Sequence, residues 1–255
     1  MWETGKNLAV HLLPDQCRTV LVLGAGASAH LGFPLGPQLC SAIINYTSNP
    51  STSSFKDLLA MGFPHQVICS FHEQIKKSFP NSIDEFLSDR PNFVDVGRAA
   101  IAQILIGCEN EDQLHNRGDN WYGLLRNRFK TDIVANRYPP MIVTFNYDLS
   151  LDKFLNDFVA STFLGKSGEN VKIFHVHGRL GYLDYEARNP QGRSYGKGAS
   201  PSGILAASQG IRVPSELDMD HGRAMVVAQT AINTTADFLI DNRDDSLYHL
   251  WHPGA

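Results

Sequence analysis

Cysteine is scarce in this sequence. Four residues in 255, at positions 17, 40, 69 and 108, leave no two close enough for a C-x-x-C pair. That spacing excludes the usual structural zinc site, so no zinc is expected. So sparse a set suits reduced thiols in the cytosol, and a cytoplasmic location is expected. An excess of one charge is missing too. Lys plus Arg number 22 against 26 Asp plus Glu, a net charge of −4. Such a chain has no global electrostatic attraction to nucleic acid or to a membrane surface, and neither is expected as a direct partner. No long apolar run is present. Residues 19–36 carry no Asp, Glu, Lys or Arg, but Gly24, Gly26, Gly32, Pro34 and Gly36 break the stretch, and Ser28 and His30 interrupt it. It reads as a turn-rich loop, not a membrane span. Residues 1–10 hold Glu3 and no apolar run, so they are no secretory signal. There is no internal repeat and no heptad run.

What is present is the composition of a globular chain, 43% apolar and 19% charged. Its length suits one domain over residues 1–255 with a sizeable core. Residues 18–23 form a β-branched, apolar run without alternation, expected as a strand buried on both faces. Residues 141–144 and 171–176 repeat that character. Helical spacing is expected over 37–46, 82–87, 93–106, 121–129, 149–159 and 219–239. The 82–87 helix opens on Asn81 or Ser82 as cap, with Glu85 three residues beyond Ser82. Strands alternating with helices argue for an α/β fold with a mostly parallel sheet. The core is expected over about 15–50 and 138–255, with a helical insertion over about 55–137 between the first strand unit and the Asn146 strand. Residues 185–214, rich in Gly and Pro, read as a mobile lid or as plain disorder.

All three expected strands finish in polar or glycine-rich residues, and ligands of open α/β sheets bind at the carboxyl ends of strands. The first ends in Gly24-Ala25-Gly26-Ala27-Ser28, where Gly24 permits a tight turn and Gly26 a close approach to a pyrophosphate. The acid about twenty residues on that a hydride-transfer site uses for ribose is absent from 41–49, which argues against a simple dehydrogenase. The second strand ends in Asn146 and Asp148; Asp148 either caps the next helix or faces a ligand, and capping explains Asn146 less well. The third ends in His177-Gly178, where His177 is either a satisfied buried histidine or a general base. His175 is expected on the same strand face as His177, but a His-x-His pair with no third ligand makes no metal site.

These segments together resemble the sirtuin superfamily. Residues 24–34, Gly-Ala-Gly-Ala-Ser-Ala-His-Leu-Gly-Phe-Pro, are similar to its glycine-rich NAD loop; 144–148, Thr-Phe-Asn-Tyr-Asp, to its Thr-Gln-Asn-Ile-Asp; and His177-Gly178 to its catalytic His-Gly. The protein-deacylating members carry paired C-x-x-C motifs and an arginine after the proline. This chain has no such motif, reads Leu35-Gly36-Pro37 there, and has Phe145 in place of glutamine. In these respects, and in residues 82–87, it looks more like the NAD-hydrolysing domains of bacterial antiviral systems. The resemblance implies a Rossmann-like parallel sheet with helices on both faces. It implies an NAD⁺ hydrolase that releases nicotinamide and ADP-ribose, acting as the toxic effector of antiphage abortive infection. Asn146 and His177 would be catalytic, and Gly24, Ala25, Gly26, Ser28, Phe33, Asp148 and Gly178 would bind NAD⁺ as substrate. Phe33 and Phe145 either stack on the base or simply pack. A homo-oligomer is implied, together with a regulatory partner such as a HerA-type ATPase or a short Argonaute. The alternatives are an NAD-dependent deacylase or ADP-ribosyltransferase, and a non-catalytic NAD or nucleotide sensor.

Overall fold

A computed structural model describes residues 19–115, 121–135, 140–162, 171–186 and 192–213. Cys17, the expected helix over 219–239 and the last part of the expected core lie outside the described residues.

Strand β1 (Val20–Leu23) leads through a 3₁₀ helix (Ala25–Leu31) to α1 (Gly36–Thr47). The helical block follows as α2 (Ser53–Ala60), α3 (His65–Ser78), α4 (Ile83–Ser88), a short 3₁₀ turn (Pro91–Phe93), α5 (Val94–Cys108), α6 (Glu111–Leu114) and α7 (Trp121–Ala135). The chain then returns through β2 (Met141–Thr144), α8 (Ser150–Thr162) and β3 (Lys172–His175), and α9 (Pro201–Ser208) closes the described part. The fold is α/β, with a three-stranded parallel sheet in the order β1-β2-β3. Among the described residues no helix is long and apolar enough to cross a membrane.

Local chemistry sets the helix boundaries. Pro37 sits in the first turn of α1, where its missing N–H costs nothing. Gln38 Oε1 accepts from Leu35 N (2.9 Å) at the same end. Thr52 caps α2 by accepting from Phe55 N (3.3 Å). Ser82, not Asn81, caps α4, its Oγ accepting from Asp84 N (3.2 Å).

The centre of the molecule is α5. Ten of its residues are buried, on every side, including the whole of 99–102, so this helix has no solvent face of ordinary width. Helices α1, α2, α3, α4 and α9 all pack on it. Removing each large side chain such as Ile101 or Leu105 from water contributes about 1.5–3 kcal/mol. The sheet divides by pleat. Leu21, Leu23, Ile142 and Ile173 join this main core. On the other face Val143 and Val176 are buried, with Val20, Val22, Met141, Phe145 and Phe174 around them. The expectation that the first strand is buried on both faces is corrected: β1 is half-buried throughout, because β2 takes the central position.

The expectation of a mobile lid or plain disorder over 185–214 is corrected for 192–213, while 187–191 and 214 lie outside the described residues. Residues 192–213 are tied down. Arg193 makes a bidentate pair with the buried carboxylate of Glu109, both bonds 2.6 Å. Tyr195 donates to Ser150 Oγ (3.0 Å), and α9 packs on α5. Gly178 bridges Ile211 in antiparallel fashion. The Gly and Pro content makes turns, as expected, but Arg193 and Tyr195 supply long-range anchors that composition does not show. Breaking a buried pair on one side leaves an uncompensated charge. Glu109→Gln is therefore expected to lower unfolding free energy by about 3–5 kcal/mol. Urea unfolding measures this, and limited proteolysis should show new cleavage within 192–213.

Candidate functional site

Parallel register places three strand ends side by side. Leu23 pairs with Thr144, and Thr144 with His175. The pairing continues one step beyond the strands: Phe145 N donates to Leu23 O (2.9 Å) and Val176 N to Thr144 O (2.8 Å). The loops carrying Ser28, Asn146 and His177 therefore leave from one edge of the sheet.

A buried chain of hydrogen bonds joins two of these loops. Ser28 Oγ donates to Asp148 Oδ2 (2.8 Å) across 120 positions of sequence. The same Oγ accepts from Asn146 Nδ2 (3.1 Å). Asp148 Oδ1 accepts from Ser150 N (3.1 Å) at the start of α8. One Asp148 oxygen thus meets the first turn of the helix, the capping side of the sequence's alternative, and the other orients Ser28. Trp121 Nε1 donates to Ala27 O (2.7 Å), fixing the 3₁₀ helix from the helical block.

Gly24, Ala25 and Gly26 are exposed beside this chain. Neither glycine has a positive φ, and a Cβ at either would meet nothing within 4 Å. Among the described residues, packing gives no reason for glycine there. Gly178 differs. Its φ is +71°, and a Cβ would run into the carbonyl oxygen of Gly210. Only glycine fits that position, so its backbone requirement is structural whatever else it contacts.

The two histidines part company. The strand stops at His175 and the chain turns, so the expected alternation through His177 fails. His175 is buried. Its Nδ1 donates to Asn146 O (2.9 Å), and its Nε2 to the Asp152 carboxylate (3.1 Å). Both partners only accept, so both ring nitrogens carry protons and His175 is an imidazolium. Burial alone would lower its pKa, but Asp152 and the Asn146 carbonyl outweigh burial and raise it. Burial likewise pushes Asp152 up, but His175 and Arg179 hold its carboxyl below the ordinary range. With both nitrogens engaged, His175 offers no ligand to a metal. Glu111, His115 and Asp157 form a second grouping of ligand-type side chains. The Lys153 ammonium already lies within it, 3.0 Å from Glu111 and 2.7 Å from Asp157.

His177 instead faces a cavity of about 200 Å³. Its ring lies 5.7 Å from Phe145 and 6.3 Å from Tyr147, centroid to centroid. Ala25, Ser28, Phe33, Asn146 and Asp148 line the same cavity. Seven of the nine expected site residues therefore meet there or on its rim: Ala25, Ser28, Phe33, Asn146, Asp148 and His177, with Gly178 adjoining. Gly24 and Gly26 flank Ala25 on the exposed loop and do not line the cavity. Phe145 also lines it. Backbone bonds hold His177 from behind, Arg212 N donating to His177 O (2.7 Å) and Arg179 N to Gly210 O (2.9 Å).

One lining residue has no counterpart in the expected set. Asp84, in the first turn of α4, lines the same cavity as His177. The Tyr147 hydroxyl donates to its Oδ1. In sequence, Asp84 reads as an ordinary acid beside a helix cap, and nothing links position 84 to position 177. Cysteine chemistry plays no part nearby: burial, with the charge of Asp84 adding to it, pushes the Cys40 thiol up to about 11. No family model and no curated protein matches the chain.

The His175–Asp152 pair defines a pH window for stability. The depressed Asp152 contributes above the ordinary carboxylate pKa of about 4, and its contribution is lost on acidification through the folded value. The raised His175 contributes fully below about 6.5, and its contribution is lost as pH rises through the folded value. Asp152→Asn is expected to cost most between about pH 4 and 6.5, roughly 3 kcal/mol. The difference should narrow on both sides. Urea midpoints of the two proteins across pH check this, and a pH-independent difference excludes the ion pair.

Proposed function

We propose that this chain is a sirtuin-like NAD⁺ hydrolase that cleaves the bond between nicotinamide and ribose. One observation carries the reading. Three loops from one edge of a parallel sheet meet around a cavity lined by Ser28, Asn146, Asp148 and His177. The edge is the one where α/β sheets take their ligands. The cavity suits the substrate in charge as well. Among the described residues its lining holds two carboxylates and one imidazole and includes no Lys or Arg, which favours a cationic pyridinium ring. The open space beside Gly24 and Gly26 leaves their backbone accessible to a pyrophosphate.

The reaction follows from these groups. Nicotinamide departs with the electron pair of its bond to ribose, leaving an oxocarbenium-like ribosyl cation. Water adds to that carbon and loses a proton, giving ADP-ribose. The fold supplies positioning and electrostatics for this step. Asp148, its orientation locked by Ser28 and Ser150, receives the nicotinamide amide. Asn146, held through its own amide by Ser28 and through its carbonyl by His175, orients the water or the ribose hydroxyls. His177 takes the proton as general base. Phe33 and Phe145 close the apolar wall.

The Rossmann-like extension of the sheet, with helices on both faces, belongs to this reading. So do a cytoplasmic location, self-association, a role in antiviral abortive infection, and control by a partner such as a HerA-type ATPase or a short Argonaute. These rest on the resemblance of the three motifs.

The test is NAD⁺ consumption by the purified chain at physiological NAD⁺, with nicotinamide release followed in parallel. His177→Ala and Asn146→Ala should each slow it at least about a hundredfold with the fold retained. Full activity in either variant overturns that residue's role. Tight NAD⁺ binding without turnover, with any regulatory partner present, marks a sensor instead.

A further inference from the structure

Asp84 belongs to no expected site, yet it lies in the cavity with the general base. We infer that Asp84 is the carboxylate partner of His177, stabilising the imidazolium that forms when His177 accepts a proton. The inference rests on the hydrolase reading above and adds a positioning residue to it.

Four observations carry it. First, His177 and Asp84 line the same cavity from different elements, the turn after β3 and the first turn of α4. Second, Asp84 is held in place: Tyr147 donates to its Oδ1, and Ser82 Oγ approaches its Oδ2 (3.4 Å). Third, the other lining carboxylate, Asp148, is already committed to Ser28 and Ser150. Fourth, among the described residues the lining holds no Lys or Arg, and His177 is the one lining side chain there that can answer the charge of Asp84. Asp84 and His177 are both half-buried, and a partly desolvated carboxylate without a cation nearby is costly, as is a partly desolvated imidazolium without an anion. The two costs offset each other when the groups share a cavity. Burial pushes the Asp84 carboxyl up, while His177 draws it back down, as expected of two groups that titrate together.

The charged and titratable neighbours of His177 come from every side of it. Asp84 comes from α4, and Tyr147 and Asp148 come from the loop after β2. Arg212, whose N–H bonds the His177 carbonyl, is an exposed residue. Arg179, two residues along, is turned to Glu186 (2.5 Å) and Asp152 (3.6 Å). Asp84 is thus the lining acid whose charge is left to act on His177, once Asp148 is committed to Ser28 and Ser150.

The experiment reads the His177 ring directly, by the pH titration of its Cε1 proton in the ligand-free protein, assigned with His177→Gln. In the unsubstituted protein His177 should titrate above the ordinary 6.5. In Asp84→Asn the midpoint should fall by about one pH unit or more. A wild-type midpoint at or below 6.5, or one unmoved by Asp84→Asn, overturns the pairing. Should Asp84→Asn fail to fold, the wild-type midpoint decides alone. On NAD⁺, Asp84→Asn should lower kcat about a hundredfold, change KM by less than roughly twofold, and move the acid limb of the kcat profile to lower pH. A purely structural role would leave that limb in place. The two readings fail separately. A raised His177 titration that Asp84→Asn abolishes, in a chain that does not cleave NAD⁺, keeps the pair and discards the hydrolase. NAD⁺ cleavage with an unmoved titration does the reverse.

Discussion

The in-register parallel pairing of β2 with both neighbours is the constraint from which the site follows. Parallel strands run in one direction, so their chain exits share one edge. The pairing of Leu23, Thr144 and His175 aligns those exits to the residue. A slip of one position would turn Ile142 and Ile173 out of the main core, so burial holds the register. With the register held, Ser28 can reach Asp148, and Asn146 can sit between Ser28 and His175. None of these contacts is local in sequence.

The polar groups at that edge are buried, and their satisfaction gives the site its rigidity. Ser28 spends its one proton on Asp148 and one lone pair on Asn146. Asp148 spends one oxygen on Ser28 and the other on the backbone of α8. His175 spends both protons, on Asn146 and on Asp152. A fully satisfied network of this kind specifies one arrangement, since any other leaves a buried group unpaired. Two histidines two residues apart acquire opposite characters from it. His175, its pKa raised by Asp152 and the Asn146 carbonyl, holds the backbone of Asn146. His177, beside aromatic rings and Asp84, is left facing the cavity.

The helical block is more than an insertion between two strands. Its α4 brings Asp84 to the cavity, and Trp121 of α7 fixes the 3₁₀ helix through the carbonyl of Ala27. Helix α5 organises both halves, packing on α1 and α4 and, through Glu109 just past its end, anchoring Arg193. The segment 192–213 then backs the turn that carries His177. The sheet edge, the helical block and the late segment are one mechanical unit around the cavity.

Much of this was legible in the residues. Unalternating β-branched runs marked strands at 20–23, 141–144 and 172–175, and apolar spacing marked α1, α5, α7 and α8. Both signals act within a few residues, through backbone propensity and the pleat or turn that hides one face. A cap of α4 at Asn81 or Ser82 was legible for the same reason, and the structure chose Ser82. The polar strand ends were legible as residues but not as a network. Sequence left Asp148 between cap and ligand contact, and only the structure showed that one carboxylate joins the start of α8 to Ser28. It placed His175 and His177 on one face, because nothing local announces that the strand stops at His175. It left 185–214 open to motion, because the anchors at Glu109 and Ser150 lie far away along the chain. It read Asp84 as an acid of the first helical turn and gave it no place in the site. Local chemistry thus determined the elements and the polar residues at their ends. Which of those residues meet, His175 with Asp152 and Arg193 with Glu109, and which share a cavity, Asp84 and His177, was decided by tertiary packing alone. A buried charge takes the partner that the fold brings within reach, and that distance is not encoded at either position.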